Sequence, residues 1–174
     1  NTITSCNLFC GCVASYMAFQ GNFKFALIFI VAGAVFDFFD GMSARLLKVS
    51  SSIGKELDSL ADDITFGLAP SAIVFSLFKE VETPGFMQPV AHLLPYTAFL
   101  ISVFSALRLA KFNIDERQTT SFIGMPTPAN ALFWGSLALG MHNNMDLYGD
   151  YFNSLSLLIM VVIMSLLLVS EIPM

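Results

Sequence analysis

Charge is what this chain has least of. Only 12% of its 174 residues are Asp, Glu, Lys or Arg, while 56% are hydrophobic. A water-soluble domain carries about a quarter charged residues, so the deficit predicts an integral membrane protein. The mean hydropathy of +0.73 agrees. Lys and Arg number only eight and form no basic patch, which argues against a nucleic-acid partner. Histidine occurs twice, as His92 and His142. The three cysteines, Cys6, Cys10 and Cys12, all fall in the first apolar segment. A structural metal site wants more ligands nearby, and a disulfide within one straight helix has poor geometry. They read as small packing residues. No internal repeat is visible. Asn1 is preceded by neither Met nor a basic region, so the chain is expected to be trimmed, and nothing resembles a cleavable signal peptide. A single domain over residues 1–174 is the expectation.

What the chain does have is long apolar runs. They predict an all-α protein with six transmembrane helices. The first runs from about Ile3 to Phe19 and ends at the turn signal Gln20-Gly21-Asn22. The second runs from Phe23 to Lys48, the third from Ile53 to Phe78 and the fourth from His92 to Phe112. Lys79 to Ala91 between them, with Pro84-Gly85 and Pro89, is expected to be a loop. The fifth, Pro128 to Met141, is short for a full crossing, and Thr127 is expected to cap it. The sixth runs from Tyr151 to Ser170. Arg45, Lys48, Lys55, Arg108, Lys111 and Arg117 all lie on one side of this arrangement. The positive-inside rule makes that side, and both termini, cytoplasmic.

The few charges are not scattered. Asp37, Asp40, Asp58 and Asp62 fall inside segments two and three, paired at helical spacings of three and four. If the chain reverses at Ser50-Ser51-Ser52, both pairs lie roughly 15 Å from the turn at about 1.5 Å per residue. Four carboxylates then converge and repel unless cations neutralise them. Oxygen ligands without nearby His or Cys predict Mg²⁺, Mn²⁺ or Ca²⁺ and exclude zinc. Two such ions can clamp the attacking and leaving oxygens of a displacement at phosphorus. Gly41, Ala44 and Gly54 leave room for close backbone approach, and Arg45 can fork onto phosphate oxygens. The residues therefore predict a metal-dependent site for a nucleotide or phosphate ester, held between helices two and three at the cytoplasmic side. Asp63 points about 100° away from Asp62 and reads as an outer acid rather than a ligand.

The full pattern, Asp37-x2-Asp40-Gly41-x2-Ala44-Arg45-x8-Gly54-x3-Asp58-x3-Asp62, resembles the signature of the CDP-alcohol phosphotransferases without a gap. The resemblance implies that Asp37, Asp40 and Asp58 hold two divalent cations. It makes Asp62 the catalytic base and a further ligand, and has Gly41, Ala44, Arg45 and Gly54 cradle CDP. Within the family, three stretches are most similar to the phosphatidylserine synthases: Asn1-x-Ile3-Thr4-x2-Asn7-Leu8-Phe9-x-Gly11, Asp58 to Pro70, and Arg108 to Asn113 followed by Phe122 to Ala129. Thr65 departs from the Ser usual at its place. That likeness implies CDP-diacylglycerol and L-serine as substrates, phosphatidylserine and CMP as products, and Thr4 and Asn7 beside the nucleotide. It also implies Arg108, Lys111 and Asn113 at the serine or lipid phosphate, a homodimer, and a bacterial or archaeal cytoplasmic membrane. Relatives that use glycerol phosphate or inositol phosphate must bind a second phosphate, and this chain has few cations to spare for it. Amino alcohols remain an alternative acceptor class. An ion transporter built on the same acids is disfavoured, because repeats are absent. No Ser–His or Cys–His pair lies on the cytoplasmic side, so direct transfer is expected rather than a covalent enzyme intermediate.

Overall fold

A computed structural model describes residues 1–47, 52–114, 124–144 and 152–170. Among the described residues every regular element is a helix, and the one β contact is an isolated bridge between Glu82 and Asn153. Helices α1 (Thr2–Phe19) and α2 (Phe23–Leu47) form an antiparallel hairpin. Gly21 makes the turn possible by taking φ of 73°, a left-handed value that side chains disfavour. Next come α3 (Ser52–Asp62), a π segment (Asp63–Leu68) and α4 (Ala69–Leu77), forming one continuous rod. Helices α5 (Leu100–Ile114), α6 (Thr127–His142) and α7 (Ser154–Val169) complete the bundle.

The boundaries depart from the sequence expectations in four places. The third segment is not a uniform α-helix, because the Ala69 N–H donates to the Ile64 carbonyl, five residues back. Pro70 has no N–H to offer the Phe66 carbonyl, and the chain accommodates the lost bond by widening one turn. The stretch expected to be a loop contains a 3₁₀ turn at Gly85–Val90, and a second one, Leu94–Phe99, leads into α5. Thr127 is not the cap of α6. It lies within the helix, and Pro126 occupies the cap position in extended conformation with no side-chain cap bond. The last helix begins at Ser154 rather than Tyr151, where a capping box fixes it. Asn153 Oδ1 accepts from the Leu155 and Ser156 amides, and Ser156 Oγ accepts from the Asn153 amide.

Among the described residues four helices are long and apolar enough to cross a membrane: Thr2–Phe19, Phe23–Ser43, Ile53–Leu77 and Leu94–Ile114. Helix α7 is apolar but has only 16 residues. The protein is a membrane protein. Its interior is filled by Phe23, Ile30, Phe66, Ile73, Trp134 and Leu157, while Phe9, Ile28, Val103, Leu107, Ile159 and Ile163 face outward. Without a hydrophobic drive between helices in lipid, close approach rests on small residues. The tightest approach is built around Thr65 of the π segment. A Cβ on Gly11 of α1 would lie 2.8 Å from the Thr65 Cα, and one on Gly33 of α2 would lie 2.6 Å from its methyl. Two glycines thus let three elements meet at one threonine.

Candidate active site

The site is assembled from four elements. Asp37 comes from α2, and Asp58 and Asp62 come from consecutive turns of α3. One carboxylate oxygen from each of the three lies within 4.8 Å of the other two. At that separation each charged pair repels by on the order of 3 kcal/mol at an effective dielectric of about 20. Among the described residues no Lys or Arg forms an ion pair with any of them. Three hard oxygen donors, with no nitrogen or sulfur among them, fit a divalent cation such as Mg²⁺ or Mn²⁺.

Helix α1 lies beneath this cluster. Thr4 and Asn7, three residues apart on one face, are both buried. The Thr4 hydroxyl donates to Asp40 Oδ2, and Asn7 Nδ2 donates to Asp62 Oδ1 at 3.0 Å. Asn7 is held in turn by Thr65, whose hydroxyl donates to the Asn7 backbone carbonyl at 3.1 Å. The packed junction at Gly11, Gly33 and Thr65 therefore fixes the amide that fixes Asp62. Partly buried carboxylates rely on such donors to keep one orientation.

The structure brings Asp37, Asp58 and Asp62 together and places Asp40 one turn further along α2, under Thr4. A Cβ on Gly41 would meet nothing within 4 Å, so that flank is open. Gly54 lies in the first turns of α3. The side chains of Ala44 and Arg45, and the turn expected at Ser50-Ser51, lie outside the described residues, as does Arg117. On α5, Arg108 is buried, while Lys111 is exposed in the last turn. Asn113 ties α5 to α3. Its side chain donates to Ser59 Oγ at 2.7 Å, and its carbonyl accepts from Lys55 Nζ at 3.1 Å. His142 pairs with Glu80 at 3.1 Å, among residues remote in sequence from the aspartates.

Sequence reasoning named Thr4 and Asn7 but not the carboxylates they hold. It passed over the part Thr65 plays, and it missed Ser105, which is fully buried on α5 against Gly67. The only local signal for the π segment was Pro70, four residues beyond Phe66.

A helical membrane protein with an oxygen-only acidic cluster, held between two helices and braced by a third, has the donor set of a membrane protein able to bind divalent cations. The CDP-alcohol phosphatidyltransferase family matches residues 1–171, and the chain belongs to that family. It is 40% identical over 130 residues to the CDP-diacylglycerol–serine O-phosphatidyltransferase of Bacillus subtilis (strain 168), covering 72% of this chain and 67% of that one. Against the enzyme of the same name from Mycobacterium leprae (strain TN) it is 32% identical over 182 residues, covering 100% of this chain and 57% of that one. The corresponding Helicobacter pylori (strain ATCC 700392 / 26695) protein is 37% identical over 134 residues, covering 76% and 53%. The chain thus spans about half to two thirds of the length of these curated relatives. The family uses divalent cations, which suits the aspartate cluster.

Proposed function

We propose that this protein transfers the phosphatidyl group of CDP-diacylglycerol to the hydroxyl of L-serine, giving phosphatidylserine and CMP. The observation that carries this reading is the three-aspartate cluster with Asn7 fixing one oxygen of Asp62. The names of the similar enzymes support the choice of substrates. An apolar groove lined by Val31, Ala34, Val35, Phe38, Phe39 and Leu132 runs along α2 beside Asp37, and its chemistry suits an acyl chain. The reading includes a single membrane domain of six crossing segments, a site facing the cytoplasm and a homodimer.

Asp37, Asp40 and Asp58 would hold two divalent cations, with Asp62 as a further ligand. When bound, these ions neutralise the pyrophosphate and the departing charge. Thr4 and Asn7 orient Asp40 and Asp62 from below. Because Asn7 occupies Oδ1 of Asp62, Oδ2 is left to accept the serine hydroxyl proton. The serine oxygen forms its bond to the lipid-side phosphorus as the bond to the CMP oxygen breaks. Gly41, Ala44, Arg45 and Gly54 line the CDP, and Arg45 receives the departing phosphate. Arg108 takes the serine carboxylate, Lys111 stands at the interface for lipid phosphate, and Asn113 shapes the mouth by latching α5 to α3.

The test is CMP release from CDP-diacylglycerol by the purified protein with Mn²⁺, offered L-serine, glycerol phosphate, inositol phosphate or ethanolamine in turn. Release that depends on L-serine, with phosphatidylserine recovered, is the expected result. Release with another acceptor and none with serine overturns the choice of acceptor.

A further inference from the structure

Asp62 and Thr65 lie three residues apart on one rod and hold the same residue of α1 at two points. Asn7 Nδ2 donates to Asp62 Oδ1 at 3.0 Å, and Thr65 Oγ1 donates to the Asn7 backbone carbonyl at 3.1 Å. Thr65 and Asn7 are both fully buried. Asn7 lies within α1, where the helix itself offers its carbonyl a partner, so the threonine bond is an additional one. It fixes where the Asn7 backbone sits against the π segment. The other side of the amide is set by α2. Asn7 Oδ1 packs against Gly33, where an added Cβ would lie 2.9 Å from that oxygen and 2.6 Å from the Thr65 methyl. The same oxygen is buried and has no hydrogen-bond partner. An orphaned acceptor is costly in a protein interior, and more so at membrane depth. An apolar side chain would avoid that cost, so stability alone does not account for an amide here. What the amide supplies is the N–H on Asp62.

We propose that Thr65 is a positioning residue for the transfer step, acting through the Asn7 backbone to keep the Asn7 amide on Asp62, with Gly33 as the wall behind that amide. The inference rests on the reading above in which Asp62 takes the hydroxyl proton. It gives the two ends of the Thr65 side chain separate functions. The hydroxyl sets the place of Asn7 and so the direction in which Asp62 presents its second oxygen. The methyl fills the space that Gly33 leaves and serves packing. Turning the amide over would set Oδ1 against a carboxylate oxygen, two acceptors with no proton between them. A base must lie within hydrogen-bond reach of the proton it takes. Loosening Asn7 therefore costs rate and leaves substrate binding in place.

The experiment measures CMP release by the full chain in detergent–lipid micelles, with CDP-diacylglycerol, L-serine and saturating Mn²⁺, beside the melting temperature of each variant. Thr65→Val keeps the volume and removes the hydroxyl. It should lower kcat about tenfold, the usual cost of losing a group behind a catalytic ligand. The KM for L-serine and that for CDP-diacylglycerol should hold within about twofold. Thr65→Ser keeps the hydroxyl and removes the methyl. It should hold kcat within about twofold while lowering the melting temperature. In an Asn7→Ala background, Thr65→Val should cost less than about twofold further, because no amide remains to be positioned. Losses that multiply independently overturn the inference. So does a normal kcat in Thr65→Val, or a kcat that follows the melting temperature in both variants. If Thr65→Val does not fold, Thr65→Ala replaces it: Ala and Ser both lack the methyl, and equal kcat in the two overturns the role of the hydroxyl. If CMP release answers to another acceptor and not to serine, the choice of acceptor fails. The same variants assayed with that acceptor then still decide the role of Thr65.

Discussion

Asp62 and Thr4 show how differently two polar side chains can matter at one site. Asp62 is tethered by Asn7 at one oxygen, and in the proposed reading its other oxygen takes the serine proton. Asp62→Asn keeps the size and the Asn7 contact but removes the basicity. It should lower kcat by about 10² or more while CDP-diacylglycerol still binds, because general-base contributions are about 10²–10⁴. Single-turnover kinetics beside an equilibrium binding measurement separates the two; loss of binding with normal turnover at saturation would make Asp62 a ligand only. Thr4 touches Asp40 and not the reacting atoms. Thr4→Val should instead raise the Mn²⁺ concentration for half-maximal activity about tenfold, the usual effect of losing a donor behind a metal ligand. Activity should return at excess metal. The aspartates were legible in the sequence because their spacings, three and four, are helix arithmetic. The Thr4–Asp40 and Asn7–Asp62 contacts were not, because 36 and 55 residues separate their partners and no local period reports such distances.

At the scale of elements, glycines divide into those that pack and those that leave access. A methyl on Gly11 would lie 2.4 Å from the Thr65 hydroxyl and 2.8–2.9 Å from its backbone. Backbone cannot rotate away as a side chain can, so α1 and the π segment must separate. Gly11→Ala should destabilise by about 1–3 kcal/mol, as overpacked interiors do, read as a lower melting temperature in detergent. Gly41→Ala meets nothing within 4 Å. It should leave the melting temperature unchanged and raise the KM for CDP-diacylglycerol if the nucleotide lies there. Equal effects of the two on stability would contradict this division. Among the described residues hydropathy located α1, α2, the rod from Ser52 to Leu77, α6 and α7 to within a few residues, because apolar length is a coarse and robust quantity; it started the fourth segment at His92, where α5 begins at Leu100, and gave a loop where Gly85–Val90 is a 3₁₀ helix. It could not separate an i→i−5 bond from an i→i−4 one, nor a 3₁₀ lead-in at Leu94–Phe99 from the α-helix that follows. Thr127 was misplaced because Thr-Pro is a start signal whichever of the two residues opens the helix, and Pro126 already supplied the extended cap.

For the molecule as a whole, the acidic cluster demands compensation that the described cations do not supply. Chelation should abolish activity, and Mg²⁺ or Mn²⁺ should restore it; full activity in excess chelator would remove metal from the account. The bundle also contains a built-in phase shift. The rod from Ser52 to Leu77 carries carboxylates on its first half and core side chains such as Ile73 and Leu77 on its second. The extra residue in the widened turn sets the rotation of one half against the other. Deleting Ile64 would remove the residue whose carbonyl closes the widened turn and shorten the rod by one residue, while Pro70 would still offer no N–H to the Phe66 carbonyl. It would also turn the Asp58–Asp62 face by about 100° and draw it in by about 1.5 Å relative to the core. Such a deletion should still insert and remain helical by circular dichroism, yet release no CMP. A chain length one residue out of step is tolerable to the bundle and fatal to the site, so this stretch should accept replacements far more readily than insertions or deletions.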